Sequence, residues 1–175
     1  MNPITAEQAA FLLQLELPAL KNEHRTTRRV IEAIPLDKGD YRPDPQSKTA
    51  AELAWHVVAA EQRFLAGIAA GGCDFTPIHR PDSVKNSAQI AQWFGESFEK
   101  TFPNVATLTG EQSAKILDFR GMFQLPAVMF LRFTLNHTIH HRGQLAAYLR
   151  AMGGKVPAIY GESYDSAEAK KAAQA

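Results

Sequence analysis

The stretch from Pro126 to Met152 predicts one long helix, and this helix constrains the fold more than any other feature of the 175-residue chain. Proline suits the first helical position because an N–H there would have no partner within the helix. Gly153 and Gly154 provide a stop signal. A helix of this length in water is stabilised mainly by packing one of its faces against other elements.

Two capping boxes predict the starts of two more helices. In Thr5-Ala6-Glu7-Gln8 and Thr49-Ala50-Ala51-Glu52, the threonine hydroxyl accepts a hydrogen bond from the third helical amide, and the Gln or Glu side chain reaches back. The first helix should end before Pro35 and the second at Gly71. The predicted buried side of the first helix consists of Phe11, Leu12, Leu15 and Val30.

A third stretch, residues 83–102, carries apolar residues at helical spacing, and Pro103 predicts an end or a kink nearby. Residues 108–125 are harder to place and fit either extended chain or one strand pair. Four long helices joined by long connections predict an all-α fold, a four-helix bundle with long crossover connections. The length fits a single domain over residues 1–175.

The charge balance argues against a nucleic-acid partner. Lys and Arg number 19 against 18 for Asp and Glu, so the formal net charge is +1 and gives no general attraction to nucleic acid or acidic membranes. No apolar run reaches the roughly 18 residues of a membrane span. The single cysteine, Cys73, and the polar start of the chain favour a cytoplasmic protein. We therefore expect a small-molecule partner.

Three histidines occupy five positions of the last helix, and a helical wheel separates them. At about 100° per residue, His137 and His141 share one face, which also carries Gln144 and Tyr148. His140 points about 100° away from His141, so it is not expected to share a ligand with it. The shared face is aromatic towards its start, which is typical of a helix face turned to the interior of a bundle.

Histidines four residues apart can bind one metal ion, but they can equally form a hydrogen-bonded core pair or lie on a solvated face. His56, the only histidine in the otherwise apolar second helix, could face His137 and His141 across the bundle. Three buried neutral imidazoles without partners would cost free energy, whereas one divalent cation satisfies all three. The predicted metal ligands are therefore His56, His137 and His141.

Other polar and aromatic residues have simpler interpretations. Gln144 and Tyr148 are candidates to line a binding pocket, although each can also serve the core through a hydrogen bond or packing. Arg142 points away from the histidine face and should anchor backbone or a carboxylate. His24, among charged residues, and His79, in a proline-bearing loop, are expected to be solvated.

The chain resembles the DinB/YfiT-like superfamily in the stretch "NHTIHHRGQLAAYLRAMGG" (136–154), together with the lone histidine of the earlier stretch "TAAELAWHVVAAEQRF". The segment "VPAIYGESYD" (156–165) is also similar to the one that follows the last helix in many members. The resemblance implies a four-helix bundle with a long crossover and a divalent metal, zinc or nickel, held by three histidines that map onto His56, His137 and His141. It also implies a homodimer. Related members include transferases and isomerases that depend on low-molecular-weight thiols.

Two functional hypotheses follow. The first is a metal-dependent enzyme, a thiol-dependent transferase or a hydrolase of a small molecule. The second is a non-enzymatic metal-binding or stress-response module, because no general acid or base is obvious near the three histidines. DNA binding is suggested only by the name of the superfamily, and the balanced charge conflicts with it.

Overall fold

The computed structural model describes residues 4–174, which are mostly helical. Along the chain the elements are α1 (Ala6–Glu32), α2 (Ala50–Ala70), α3 (Ser87–Ala106), α4 (Gly110–Ala114), β1 (Ile116–Phe119), β2 (Phe123–Pro126), α5 (Ala127–Ala151) and α6 (Tyr164–Ala172).

The four long helices form a bundle. Helices α1 and α2 each pack against both α3 and α5, so α1 and α2 occupy opposite corners. The chain crosses from α3 to α5 through residues 107–126, which contain α4 and the β1–β2 hairpin, and α4 packs on α1 and α5. This arrangement confirms the predicted all-α four-helix bundle with a long crossover.

The structure confirms the capping boxes and the stop glycine that were predicted for α1 and α2. Both capping boxes are complete, with reciprocal hydrogen bonds between Thr5 and Gln8 and between Thr49 and Glu52. Helix α2 ends at Gly71, whose φ of 68° is a left-handed conformation that glycine adopts without strain.

The predicted end near Pro103 is confirmed to within three residues, since α3 continues through this proline and ends at Ala106. Proline removes one backbone donor from a helix, a cost that packing can offset. Phe102 and Val105, on either side of Pro103, are both buried and keep this turn of α3 on the core.

The predicted buried face of α1 was wrong at two positions. Phe11 and Leu15 are 59% and 56% exposed, whereas polar Glu16, Glu23 and His24 are buried. The hydrophobic residues of α1 did not identify its inner face because that face carries ionisable side chains paired with residues of other helices.

The uncertain segment 108–125 contains a strand pair, one of the two forms considered for it. Strands β1 and β2 are antiparallel, with Phe119 opposite Phe123. Gly121 lies in the connecting turn at a φ of 69°, and its N–H donates to Asp118 Oδ2. The hairpin places Leu117 and both phenylalanines against one end of the bundle.

A polar layer lies between two apolar clusters of the bundle. One cluster includes Phe64, Phe130 and Leu135, and the other includes Leu53 and Leu145. The polar layer comprises buried or half-buried side chains that lie between these positions along α1, α2 and α5: Glu23, His24, Thr27, His56, Glu61, His137, Thr138, His141 and Arg142. Buried polar groups need partners, and the partners in this layer define the candidate site.

Between residues 4 and 174, no helix is long and apolar enough to cross a membrane.

Candidate metal centre

Three imidazoles from two helices converge in the polar layer. His56 comes from α2, and His137 and His141 come from successive turns of α5. His56 Nε2 lies 3.1 Å from His137 Nε2 and 3.2 Å from His141 Nε2. One ligand nitrogen from each ring lies within 4.8 Å of the others. The i, i+4 spacing on α5 is what directs two rings at one point facing α2.

A single proton on His56 Nε2 cannot make linear hydrogen bonds to both His137 and His141. His141 Nδ1 lies 2.7 Å from Gln144 Oε1, which can only accept, so the His141 proton resides on Nδ1 and its Nε2 carries a lone pair. His56 Nε2 carries at most one proton for its two neighbours. A cation placed among the three lone pairs satisfies all of them.

The spacing also fits a shared ion. Nitrogens that bind one ion at about 2.0–2.1 Å lie about 2.9–3.4 Å apart at octahedral to tetrahedral angles. Both Nε2 distances from His56, 3.1 and 3.2 Å, fall inside this interval. The donor set and the geometry of the residues therefore fit a divalent metal.

The surroundings keep two of the rings in the neutral form that binds metals. Burial, followed by the neighbouring His141 and His56, lowers the pKa of His137 from 6.5 to about 4. Burial, followed by His141 and two nearby cations, Lys48 and Arg63, lowers the pKa of His56. Both imidazoles are therefore available as ligands at neutral pH.

This pKa shift predicts that the metal-free protein loses stability on acidification. Because the folded pKa of His137, about 4, is below its ordinary value of 6.5, the unfolded chain binds more protons between these pH values. Stability should fall as pH falls through this window, by on the order of 2 kcal/mol after allowance for solvent screening of a partly exposed ring. Urea unfolding in chelator at about pH 7 and about pH 5 measures the effect.

A His137→Gln variant is the control for this acidification, since it lacks the titrating ring. Its loss of stability over the same interval should be smaller than that of the wild type. Equal losses in the two proteins would show that His137 does not hold a lowered pKa.

Gln144 acts on the site through His141. Its Oε1 fixes the ring and the tautomer, so that Nε2 faces His56 and His137. Gln144 was predicted to line a pocket, and in the structure it contacts the His141 ring directly. Helical spacing of three residues brings the two side chains together on the exposed side of α5.

Removing this acceptor should weaken metal binding. Gln144→Leu is expected to lower the affinity for a divalent metal about 10- to 100-fold, because the His141 ring loses its orienting hydrogen bond. Gln144→Glu keeps an acceptor oxygen and should retain most of the affinity. Competition with a colorimetric chelator measures both variants, and an unchanged affinity in Gln144→Leu would contradict the orienting role.

The other histidines lie outside the centre. His140 is exposed and only its ring edge approaches His141, with centroids 4.8 Å apart, in agreement with the wheel. His79 is exposed, as predicted. The prediction of a solvated His24 was wrong: its Nδ1 lies 2.6 Å from Glu61 Oε1, and its ring stacks on Phe98. Glu61, on α2, provides the buried partner that the local sequence around His24 did not reveal.

Arg142 anchors a carboxylate, as predicted. Its guanidinium is buried and donates to Glu23 Oε2 and Thr27 Oγ1 on α1 and to the hydroxyl of Tyr160. Tyr160 in turn donates to Glu23. This network ties α5, next to His141, to α1 and to the chain after α5.

The remaining candidates have packing environments. Tyr148 is half-buried and meets Tyr41 edge to face, with ring centroids 5.7 Å apart, so its predicted pocket-lining role stays a prediction. Trp55 Nε1 donates to the carbonyl of Ile78, which fixes the α2–α3 connection. Burial and the nearby Asp118 raise the pKa of Cys73, which disfavours a thiolate there.

A cavity of about 610 Å³ opens beside His56. Its walls come from α2 and from the connections before and after it, and they include Trp55, Arg63 and Glu52. Of the three histidines, only His56 lines this cavity. The rest of the wall lies in the proline-bearing connections before and after α2, whose path depends on tertiary contacts.

Comparisons with known proteins show the family of the chain. The sequence model of the DinB family matches residues 15–173. The chain belongs to the DinB family. It is 28% identical to the Bacillus subtilis (strain 168) protein YjoA over 133 residues, which cover 74% of this chain and 84% of YjoA. It is also 28% identical to YrdA of the same organism over 143 residues, or 79% of this chain and 82% of YrdA.

Solved structures of DinB-like proteins share the fold. The crystal structure of YjoA matches with a TM-score of 0.70 at 24% identity, covering 85% of this chain and 99% of YjoA. A DinB-like protein from Bacillus cereus ATCC 10987 also matches with a TM-score of 0.70 at 24% identity, covering 83% of this chain and 95% of the other. These likenesses show the DinB fold.

Proposed function

We propose that this DinB-family protein is a metal-dependent enzyme, a thiol-dependent transferase or a hydrolase, that acts on a small molecule. One divalent ion per chain, zinc or nickel, would be held by His56, His137 and His141. The observation that carries the proposal is the convergence of three imidazole nitrogens from two helices, with His56 Nε2 3.1 Å from His137 Nε2 and 3.2 Å from His141 Nε2.

Three protein ligands are typical of catalytic centres, which keep positions open for water or substrate, whereas structural zinc centres are closed by four. If bound by these histidines, a divalent ion would lower the pKa of a water or thiol and would polarise a carbonyl. The protein's own contribution is positional. Gln144 orients His141, the network around Arg142 anchors this part of α5 to α1, and the cavity beside His56 gives a small molecule access.

A non-enzymatic metal-binding or stress-response module is the alternative, and one observation favours it. Within residues 4–174, Glu52 is the single carboxylate lining the cavity beside His56, and it is engaged in the capping box with Thr49. The backbone and hydroxyl of Thr49 lower the pKa of Glu52, so a role as a general acid at neutral pH is disfavoured.

Thermal shifts distinguish the two functions. Metal-loaded and metal-free protein are each heated with a panel of low-molecular-weight thiols, and turnover of ester, amide and electrophilic substrates is followed in parallel. The enzyme hypothesis predicts stabilisation by a thiol, or turnover, that requires the metal and is lost in His137→Ala. Metal uptake without any response across both panels would favour the module.

We also propose that the protein forms a homodimer. Phe11 and Leu15 lie one turn apart on the outer side of α1, and each is more than half exposed. Large exposed apolar side chains on one helix face are typical of interaction surfaces. Light scattering coupled to size-exclusion chromatography should give twice the chain mass, and a monomer mass would contradict the proposal.

A further inference from the structure

The cavity beside His56 is strongly basic. Four cationic side chains line it: Arg42, Lys48, Arg63 and Arg80. We refer to it as the basic cavity. Arg42 and Lys48 lie in the α1–α2 connection, Arg63 lies on α2, and Arg80 lies in the α2–α3 connection. Three separate parts of the chain thus bring like charges to one concave surface, in a protein whose net charge is only +1.

These charges are not neutralised by ion pairs. Across residues 4–174, the salt bridges involve other cations, and none of the four lies within ion-pairing distance of a carboxylate. Glu52 is the one acidic lining residue, and its oxygen accepts from the backbone N–H of Thr49. Like charges in a concave surface repel one another and focus a positive potential, which an anion relieves.

Arg63 is the most constrained of the four. It follows His56 by seven residues, or two helical turns, so both side chains lie on one face of α2. Its Nη2 donates to the carbonyl of Thr76, 3.2 Å away, while its Nε is buried and has no hydrogen-bond partner in the described part of the chain. A buried N–H without a partner costs free energy that an acceptor oxygen would recover.

Other parts of the cavity wall are apolar. Pro45, Trp55, Pro77 and Ile78 contribute to it, and the hydrogen bond from Trp55 Nε1 to the Ile78 carbonyl fixes the indole in place. Pockets that bind small organic molecules usually combine apolar walls with a few placed polar groups. The volume of about 610 Å³ lies within the common range for such pockets.

We propose that the basic cavity binds the carboxylate or phosphate group of a small organic anion, with its apolar body against Trp55 and its reacting end towards His56. The evidence for the anion site comes from the cavity residues alone. The placement of the reacting end rests on the proposed function. Arginine suits this task because its planar guanidinium donates to a carboxylate or phosphate in a bidentate manner.

Calorimetric titration tests the proposal with three probes: succinate, inorganic phosphate and the neutral succinamide. Each is titrated into metal-loaded protein and into protein stripped with chelator. Succinate or phosphate should bind both forms, whereas succinamide should not bind. The anion that binds more tightly distinguishes a carboxylate site from a phosphate site. If neither anion binds either form, the proposal is overturned.

Variants separate the cavity from direct binding to a metal. Arg42→Gln and Arg80→Gln should each weaken anion binding about tenfold or more. Arg25→Gln, an exposed arginine on α1 outside the cavity, is the matched control and should leave binding unchanged. Anion binding that requires the metal and is unaffected by Arg42→Gln and Arg80→Gln would overturn the proposal.

The two proposals can fail separately. Anion binding by stripped protein that never takes up a metal would support the basic cavity and overturn the metal-dependent function. Metal uptake with a thiol response or turnover, but without anion binding, would support the function and overturn the basic cavity.

Discussion

His137→Ala is expected to lower the bound divalent metal from about one ion per chain to below about 0.1 after purification without chelator. Burial lowers the pKa of His137 to about 4, which keeps this ring neutral and able to bind a metal. Removing it leaves two imidazoles, those of His56 and His141, as ligands. Two nitrogen ligands hold a divalent ion far more weakly than three, and elemental analysis by mass spectrometry measures the loss.

His140→Ala is the matched control, because it removes an exposed histidine from the same turn of α5. Its ring contacts His141 at the edge but does not face the other two ligands. We expect this variant to retain its metal. A full complement of metal in His137→Ala, or loss from His140→Ala alone, would contradict the assignment of the ligands.

Arg142→Met is expected to lower the free energy of unfolding by about 3–5 kcal/mol, the usual cost of leaving a buried charge without its partner. Arg142 is 1% exposed, and Glu23 would lose its only ion pair along the described chain. Tyr160 would still donate to Glu23, but one neutral donor does not replace a guanidinium. Urea unfolding of the metal-free protein measures the loss without a contribution from metal affinity.

Two further variants test the reason for this loss. Adding Glu23→Gln to Arg142→Met removes the stranded charge and should restore part of the stability. Arg150→Met, which breaks an ion pair of an exposed arginine with Asp165, should change stability little. If Arg142→Met unfolds at the same urea concentration as the wild type, the buried network does not stabilise the bundle.

Local signals were sufficient to predict the starts of α1 and α2 and the end of α2, but not the short helix α4 within the segment 108–125. Capping boxes and stop glycines act within a few residues, so Thr5, Thr49 and Gly71 mark helix ends in the sequence as they do in the structure. The inner face of α1 was not predictable in the same way. Its buried Glu16 and Glu23 are compensated by arginines on α5, more than a hundred residues away along the chain.

The candidate ligands also illustrate what spacing can and cannot predict. The interval between His137 and His141 is a property of one helix, and a wheel places both on one face. Their meeting with His56 depends on how α2 packs on α5, which the sequence suggested through a lone histidine in an apolar helix. The prediction for His24 was wrong because its partner Glu61 lies on another helix, whereas the nearby Lys21, Arg25 and Arg29 are exposed.

The basic cavity could not be predicted from the sequence. Three of its four cations lie in the connections between helices, where the chain path is set by contacts such as that of Trp55 with Ile78. The net charge of the whole chain, +1, does not indicate the basic cavity, because it does not show where cations cluster.

X-ray absorption at the metal edge, together with elemental analysis of protein purified without chelator, tests the central claim most directly. We expect about one divalent ion per chain with three imidazole nitrogens at about 2.0–2.1 Å, the distance typical of zinc–histidine bonds. Protein that holds no divalent metal after incubation with zinc and with nickel, or a bound metal without histidine ligands, would contradict the account.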